Sequence, residues 1–266
     1  MLFRIAPACA LLLFPAAAPA QSPQPDKPLT FEVASIKPAG DSMNGVRGGC
    51  HGIDSVYTPA QRNEAPPLGR CVITDGRLSH MVGIAWDITM PMLKTGPDWI
   101  QRGDERFNLQ AKADEPTKTT EKQLLQMLQN LLIDRFQMKY HMEPVELPGF
   151  ALTLAKGGSK LEESKSADSK MSFGPGGKPG GGVGVFKATR YSMREFVRML
   201  SVFGDRGPGV DHTGLTGLYD FTLTWDNEQG PTLDTALHEQ LGLRMQSEKV
   251  QTAYFVIDSA HRPTDN

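Results

Sequence analysis

Beyond the first twenty residues the sequence has no apolar run approaching the roughly 20 residues needed to span a bilayer. It has no excess of charge of either sign either. Lys and Arg number 28 against 30 Asp and Glu, a formal net charge of −2. That excludes the electrostatic footprint of a nucleic-acid or polyanion binder. The motifs of common catalytic sites are missing: there is no Gly-x-Ser-x-Gly elbow, no Ser-x-x-Lys pair and no His-Glu-x-x-His. Six histidines are scattered without metal spacing, and the cysteines are only three.

What is there begins with an address. Arg4 precedes a short apolar run broken by Pro7 and Pro15 and closed by Ala18-Pro-Ala20. This reads as a signal peptide over residues 1–20 rather than an anchor, and almost no hydrophobic region precedes Cys9 to make a lipoprotein signal. Loss of the leader removes Arg4 and takes the formal charge from −2 to −3. The mature chain is expected in the periplasm or outside the cell, with no membrane span. Two cysteines remain there, Cys50 and Cys71, and an oxidising compartment predicts a disulfide between them. The loop they bound is rich in Gly and Pro and poor in apolar periodicity, so it needs a clamp. The zinc alternative (Cys50, His51, Cys71, His80) matches no usual finger spacing.

The chain is organised around Gly209 to Trp225. Gly214 and Gly217 break a polar lead-in, and Tyr219, Phe221, Leu223 and Trp225 then alternate as a half-buried strand. Helices are predicted before it (192–200) and after it (233–241). An earlier set of elements has the same texture. Strands are predicted at Phe31–Pro38, Cys71–Thr74 and Phe107–Ala113, and a helix carries Leu78, Met81, Val82 and Ala85. A second helix, capped by Thr120, carries Leu124, Leu128 and Leu132. A strand from Phe136 to Tyr140, a turn at Pro144–Pro148 and a strand from Phe150 to Leu154 follow.

Apolar positions recur beyond Gly182. Met193, Phe196, Val197 and Leu200 repeat the spacing of Leu78, Met81, Val82 and Ala85, behind a Ser192-Met-Arg-Glu195 capping box. Phe221, Leu223 and Trp225 answer Phe107, Leu109 and Ala111. The run Leu128, Leu131, Leu132, Phe136, Met138, Tyr140 superposes on Leu233, Ala236, Leu237, Leu241, Leu243, Met245 without a gap. The predicted fold class is α+β. It comprises two related strand-helix-strand-strand-helix-strand-strand modules with small, mostly antiparallel sheets. In element order these are similar to the short N-terminal modules of secretins and TonB-linked receptors, which bind other proteins. The expected organisation is a signal peptide (1–20), a leader strand with the Cys-bounded loop (21–70), a first module (71–156), a flexible Lys/Ser/Gly/Pro-rich linker (157–182) and a second module (183–266). Within the linker, Gly174–Gly182 has neither the Walker spacing nor Gly-x-Gly-x-x-Gly, so it is not a phosphate loop.

Several segments together resemble a known family. They are Phe31-Glu-Val-Ala-Ser-Ile-Lys-Pro38, Gly96-Pro97-x-Trp99, Arg106-Phe107, Asp134-Arg135-Phe136, Leu147-Pro148 with Ala155-Lys156-Gly157-Gly158, and Asp211-x-Thr213-Gly-Leu-Thr-Gly217-x-Tyr219-Asp-Phe221. The match, from Phe31 to the C-terminus, is similar to the soil-associated family of exported bacterial proteins, expanded in acidobacteria. Relatives joined to membrane sensor-peptidases of the beta-lactam-receptor type imply extracytoplasmic sensing or binding. The resemblance supplies no catalytic residues. Gln101-Arg102-Gly103-Asp104 is a longer turn than the family pattern leads one to expect after the tryptophan.

Three residues stand out as binding candidates. Trp99 beside a Gly-Pro turn offers a stacking face, against the commoner role of packing on a sheet. Arg106, with Arg135 and Asp134, offers an anion site, against the commoner role of charges at element ends that face water or pair weakly. Asp211 precedes His212-Thr-Gly, which departs from the Asp-Thr-Gly of aspartic proteases and has no second copy. It is therefore read, with Thr213, as a turn-former. No catalytic residue, cofactor or metal is assigned. The expected function is a non-catalytic binding or envelope-sensing module for an envelope protein or glycan. The alternative is an extracytoplasmic hydrolase acting on peptide or cell-wall material at a cleft between the modules.

Overall fold

The computed structural model describes residues 28–40, 45–55, 65–94, 96–167, 169–174, 183–203 and 206–263. The predicted signal peptide with Cys9, the leader up to Lys27 and residues 175–182 of the Gly/Pro run lie outside the described residues.

Twelve described strands form three four-stranded sheets, so the fold is α+β. In chain order they are β1 (Val33–Pro38), β2 (Arg47–His51), β3 (Arg70–Gly76), α1 (Leu78–Ala85), β4 (Leu93–Lys94), β5 (Phe107–Lys112), α2 (Glu121–Arg135) and β6 (Lys139–Leu154). There follow β7 (Glu162–Glu163), β8 (Lys170–Phe173), β9 (Val183–Ser192), α3 (Met193–Phe203), β10 (Gly209–Asp211), β11 (Leu218–Asp226), α4 (Leu233–Ala236) and β12 (Leu243–Ser259). The first sheet has the order β1-β5-β3-β2 and the third β7-β11-β9-β8, all pairs antiparallel. The middle sheet is β10-β6-β12-β4, with a long antiparallel pair at its centre and short parallel strands outside.

The outer sheets share local devices as well as order. Each has a bulge beside its helix, at Asp75 (φ +56°) and at Arg190 (φ +54°). The extra N–H is taken by a side-chain oxygen in the neighbouring strand, Asn108 at 3.0 Å and Asp220 at 2.7 Å respectively. The next helix starts with a capping pair. The Arg77 N–H donates to His80 Nδ1 (3.1 Å), and the Ser192 N–H donates to Glu195 (3.1 Å). Thr120 caps α2 through the Gln123 N–H at 3.3 Å. Both second helices end on a left-handed residue, Gln137 (φ +45°) and Gly242 (φ +67°). At Gly242 a Cβ would lie 2.1 Å from the Gly158 carbonyl, so only glycine fits.

Several expectations change. Phe136 belongs to the end of α2, and the strand begins at Lys139. The predicted helix over 233–241 is a short α-helix continued by one π turn, Leu237–Leu241. Part of the predicted linker is ordered: β7 pairs with β11, and β8 pairs with β9. The bulges also move the strand correspondence by two residues. Tyr219, opposite Tyr191, holds the place of Phe107, opposite Gly76. A shift of two leaves a period-two pattern unchanged, so apolar alternation alone does not reveal it.

The largest correction is at Pro144–Pro148. No turn forms there, and β6 runs straight through, paired with β12 from Lys139 to Leu154. Phe150 donates its N–H to Pro208, and Leu152 accepts from His212, both on the side away from β12. By alternation, residues 144 and 148 also face that side, where a missing N–H costs the ladder nothing. Because neither strand folds back, each carries its far end into the opposite half. Phe150 and Leu152 pack with α3, α4, β9 and β11. Phe255, Ile257 and Ala260 pack with α1, α2, β3 and β5. Among the described residues there are two cores, and each is completed by the far end of a long strand that starts in the other half.

Candidate functional site

A cleft of about 1040 Å³ opens between the halves. One wall is the end of α1 (Ile84 to Thr89), the exposed face of α2 from Glu121 to Gln129, and the start of the Cys-bounded loop. The other wall is α3, with Arg194, Glu195, Arg198 and Ser201, and the floor is Gly209 of β10 with Thr252 and Ala253 of β12. Cys50 and Cys71 sit directly opposite one another on β2 and β3 and are disulfide-bonded. This consumes both thiolates of the zinc alternative. The bond fixes the loop so that Asp54 accepts the Glu121 N–H (2.7 Å) at the start of α2.

The walls touch through charge. Asp87, left-handed at φ +53° just past α1, accepts from both Arg194 and Arg198, the latter at 2.7 Å. The two arginines are one helical turn apart on α3, which places both guanidinium groups on one face. Two further carboxyls flank this contact. Burial holds Glu195 above its ordinary range, opposed by hydrogen bonds from Ser192 and by Arg198 and Arg194. Burial also raises Glu121, opposed by a bond from Ser55 and reinforced by Asp54, Glu195 and Asp87. Tyr191 is pushed up by burial and by Glu195.

A pH dependence follows. A carboxyl raised in the folded state adds stability that is complete below its unfolded pKa and is lost as pH rises through the folded value. Glu195→Gln keeps the capping box, since glutamine fills the same role. Thermal melts of Glu121→Gln and Glu195→Gln are expected to match the parent near pH 4 and to lie above it at pH 7. A parent midpoint that rises between those values relative to both variants would contradict the assignment.

The predicted binding residues do not meet. Asp211 lines the cleft, where its carboxylate accepts from the Thr213 N–H (2.9 Å) and hydroxyl (2.7 Å) in a local turn. Trp99 lies at the outer end of the first core, stacked on Phe136 with centroids 6.3 Å apart and covered by Arg262 at 5.3 Å. Arg106 donates to the Gly103 carbonyl (3.3 Å) and approaches buried Asp75 at 3.7 Å. His80 beside them accepts at Nδ1, which leaves the proton on Nε2, and burial and the two neighbouring arginines lower its pKa. Among the described residues no group of three His, Cys, Asp or Glu is placed to hold a metal. Of the residues that form the cleft, Trp86, Asp87, Glu121, Arg194 and Arg198 carry no motif in sequence, and Glu195 reads there only as part of a capping box. The nearest signal was two arginines one turn apart on the predicted helix of residues 192–200.

Fold and cleft together define an α+β protein of two interlocked halves with a charged cleft between them. The chain belongs to the family described as Protein of unknown function (DUF3738), whose profile matches residues 79–260. That span takes in the helices on both walls and the whole middle sheet, but not the disulfide. No curated protein and no solved structure matches.

Proposed function

We propose that the protein is an exported, non-catalytic binding or envelope-sensing protein whose ligand, an envelope glycan or peptide, occupies the cleft between the halves. The observation that carries this reading is that both walls and the floor come from different halves of one interlocked fold. A ligand bridging them makes contacts that depend on how the halves sit, which is what a sensor needs. The leader and the disulfide support export to the periplasm or beyond, by a member of a soil-associated, acidobacterial group. The shared strand order, bulges and helix ends support a duplicated module. The likeness in element order to secretin and TonB-linked modules supports binding over catalysis.

The test uses the mature protein as bait on envelope extracts of its host, with mass spectrometry of what is retained. Arg194→Ala/Arg198→Ala serves as the control, changing one wall of the cleft at exposed positions. A glycan or peptide retained by the parent and reduced about tenfold or more by the double variant supports the reading. Equal retention by both proteins overturns the cleft as the site. Turnover of a peptide or cell-wall substrate by the same preparation overturns the non-catalytic assignment in favour of a hydrolase.

A further inference from the structure

The two long strands of the middle sheet differ at their outer edges. Phe150 and Leu152 of β6 direct their backbone groups towards β10, away from β12. Their partners Ser247 and Met245 therefore direct theirs away from β6, as both members of an antiparallel pair share one orientation. On β12 the outward positions are thus Met245, Ser247, Lys249, Gln251 and Ala253. Among the described residues β4 pairs only with Phe255 and Val256, and no strand covers these five. Ser247, Lys249 and Gln251 are exposed. On β6 the comparable stretch carries Pro144 and Pro148 at outward positions, which blocks strand addition. β12 has no proline.

We propose that this edge of β12 is a self-association surface that takes the β12 edge of a second copy, antiparallel, extending the middle sheet across a two-fold axis. Charge selects both the occupant and the register. Outward residues must meet outward residues, so the permitted registers differ in which residue lies on the axis. With Gln246 on the axis, Arg244 stands opposite Glu248 of the copy, twice, and Met245 stands opposite Ser247. Moving the axis to residue 248 or 249 sets Glu248 or Lys249 against itself, which is unfavourable. Arg244 is exposed, and its guanidinium has no partner among the described residues. Among the described residues Glu248 has only a distant one, His212 at 3.7 Å. Both side chains are free to reach across.

Sedimentation velocity of the mature protein at about 100 μM, a concentration suited to a small interface, tests the pairing. A dimer is expected. Ser247→Pro, which removes an outward N–H from a ribbon that already accommodates two outward prolines, is expected to yield a monomer with unchanged circular dichroism. Arg244→Glu is expected to weaken association about tenfold or more by creating two like-charge pairs, and Arg244→Glu/Glu248→Arg to restore it. A monomeric parent overturns the proposal and leaves the edge to an extended segment of another protein. A dimer that survives both Ser247→Pro and Arg244→Glu also overturns it, by placing the contact elsewhere.

Discussion

Replacing Phe255 by alanine is expected to destabilise the half of the molecule to which it does not belong by sequence. Its ring is fully buried, stacked on Tyr140 with centroids 4.5 Å apart and set edgewise to Trp86 at 4.8 Å. It fills the first core, beside β4. Truncating a buried phenylalanine costs about 3–5 kcal/mol, a large share of the 5–15 kcal/mol by which domains are usually stable. The expected result in urea is a single transition at a much lower midpoint. Amide exchange should show lost protection in α1 and α2 as well as in β12. Phe150→Ala is the mirror experiment, with the second core losing its packing to a residue of β6. If Phe255→Ala loosened only residues 183–260, the halves would be independent and the crossing of the strands energetically idle.

The second large effect is expected from the disulfide. Cys50 and Cys71 close a loop of 21 residues in sequence separation. A loop of that length contributes about 3 kcal/mol by restricting the unfolded chain. Here the clamp also has a local task. Gly52 lies so close to the start of α2 that a Cβ would come 2.1 Å from the Glu121 N–H nitrogen, and its own N–H donates to Ser55 Oγ at 2.8 Å. The segment from Cys50 to Ser55 thus forms part of the cleft wall. Cys50→Ser/Cys71→Ser is expected to lower unfolding free energy by about 3 kcal/mol. Exchange at the first turn of α2 should speed up by more than in α3. Reductant should shift the parent to the same midpoint and leave the double variant unmoved. An unchanged midpoint in the double variant would remove the clamp from the account.

Much of the architecture was legible because it rests on local chemistry. Thr120 and the Ser192–Glu195 pair announce their helices. Leu78, Met81, Val82 and Ala85 mark a buried face by spacing alone, and all four are buried. The expectation of an oxidising compartment predicted the pairing of Cys50 with Cys71, which the structure contains. What was not legible is where strands go once they have formed. Pro144 and Pro148 read as a turn because proline lacks a donor, and only the ladder shows that both lie where no donor is used. The two-residue shift of Tyr219 onto the place of Phe107 is hidden by the strand period. A cleft between the modules was anticipated, but the residues that line it were hidden for a related reason. Asp87, Glu121 and Arg198 are ordinary surface residues in sequence, brought together by the crossing of β6 and β12.

That crossing also sets an order of events in the life of the chain. Phe255, Ile257 and Ala260 come far later in the chain than α2, yet they complete the core built by α1, α2 and β5. A chain growing from its N-terminus has no means of closing that core until β12 has been made, because contacts so distant in sequence form late and slowly. The newly made first half therefore stays open while the second half is still being made. Moving β12 ahead of β1 by circular permutation would let the first core close before the second half is made, and would be expected to bring forward the amide protection of α1 and α2 during refolding.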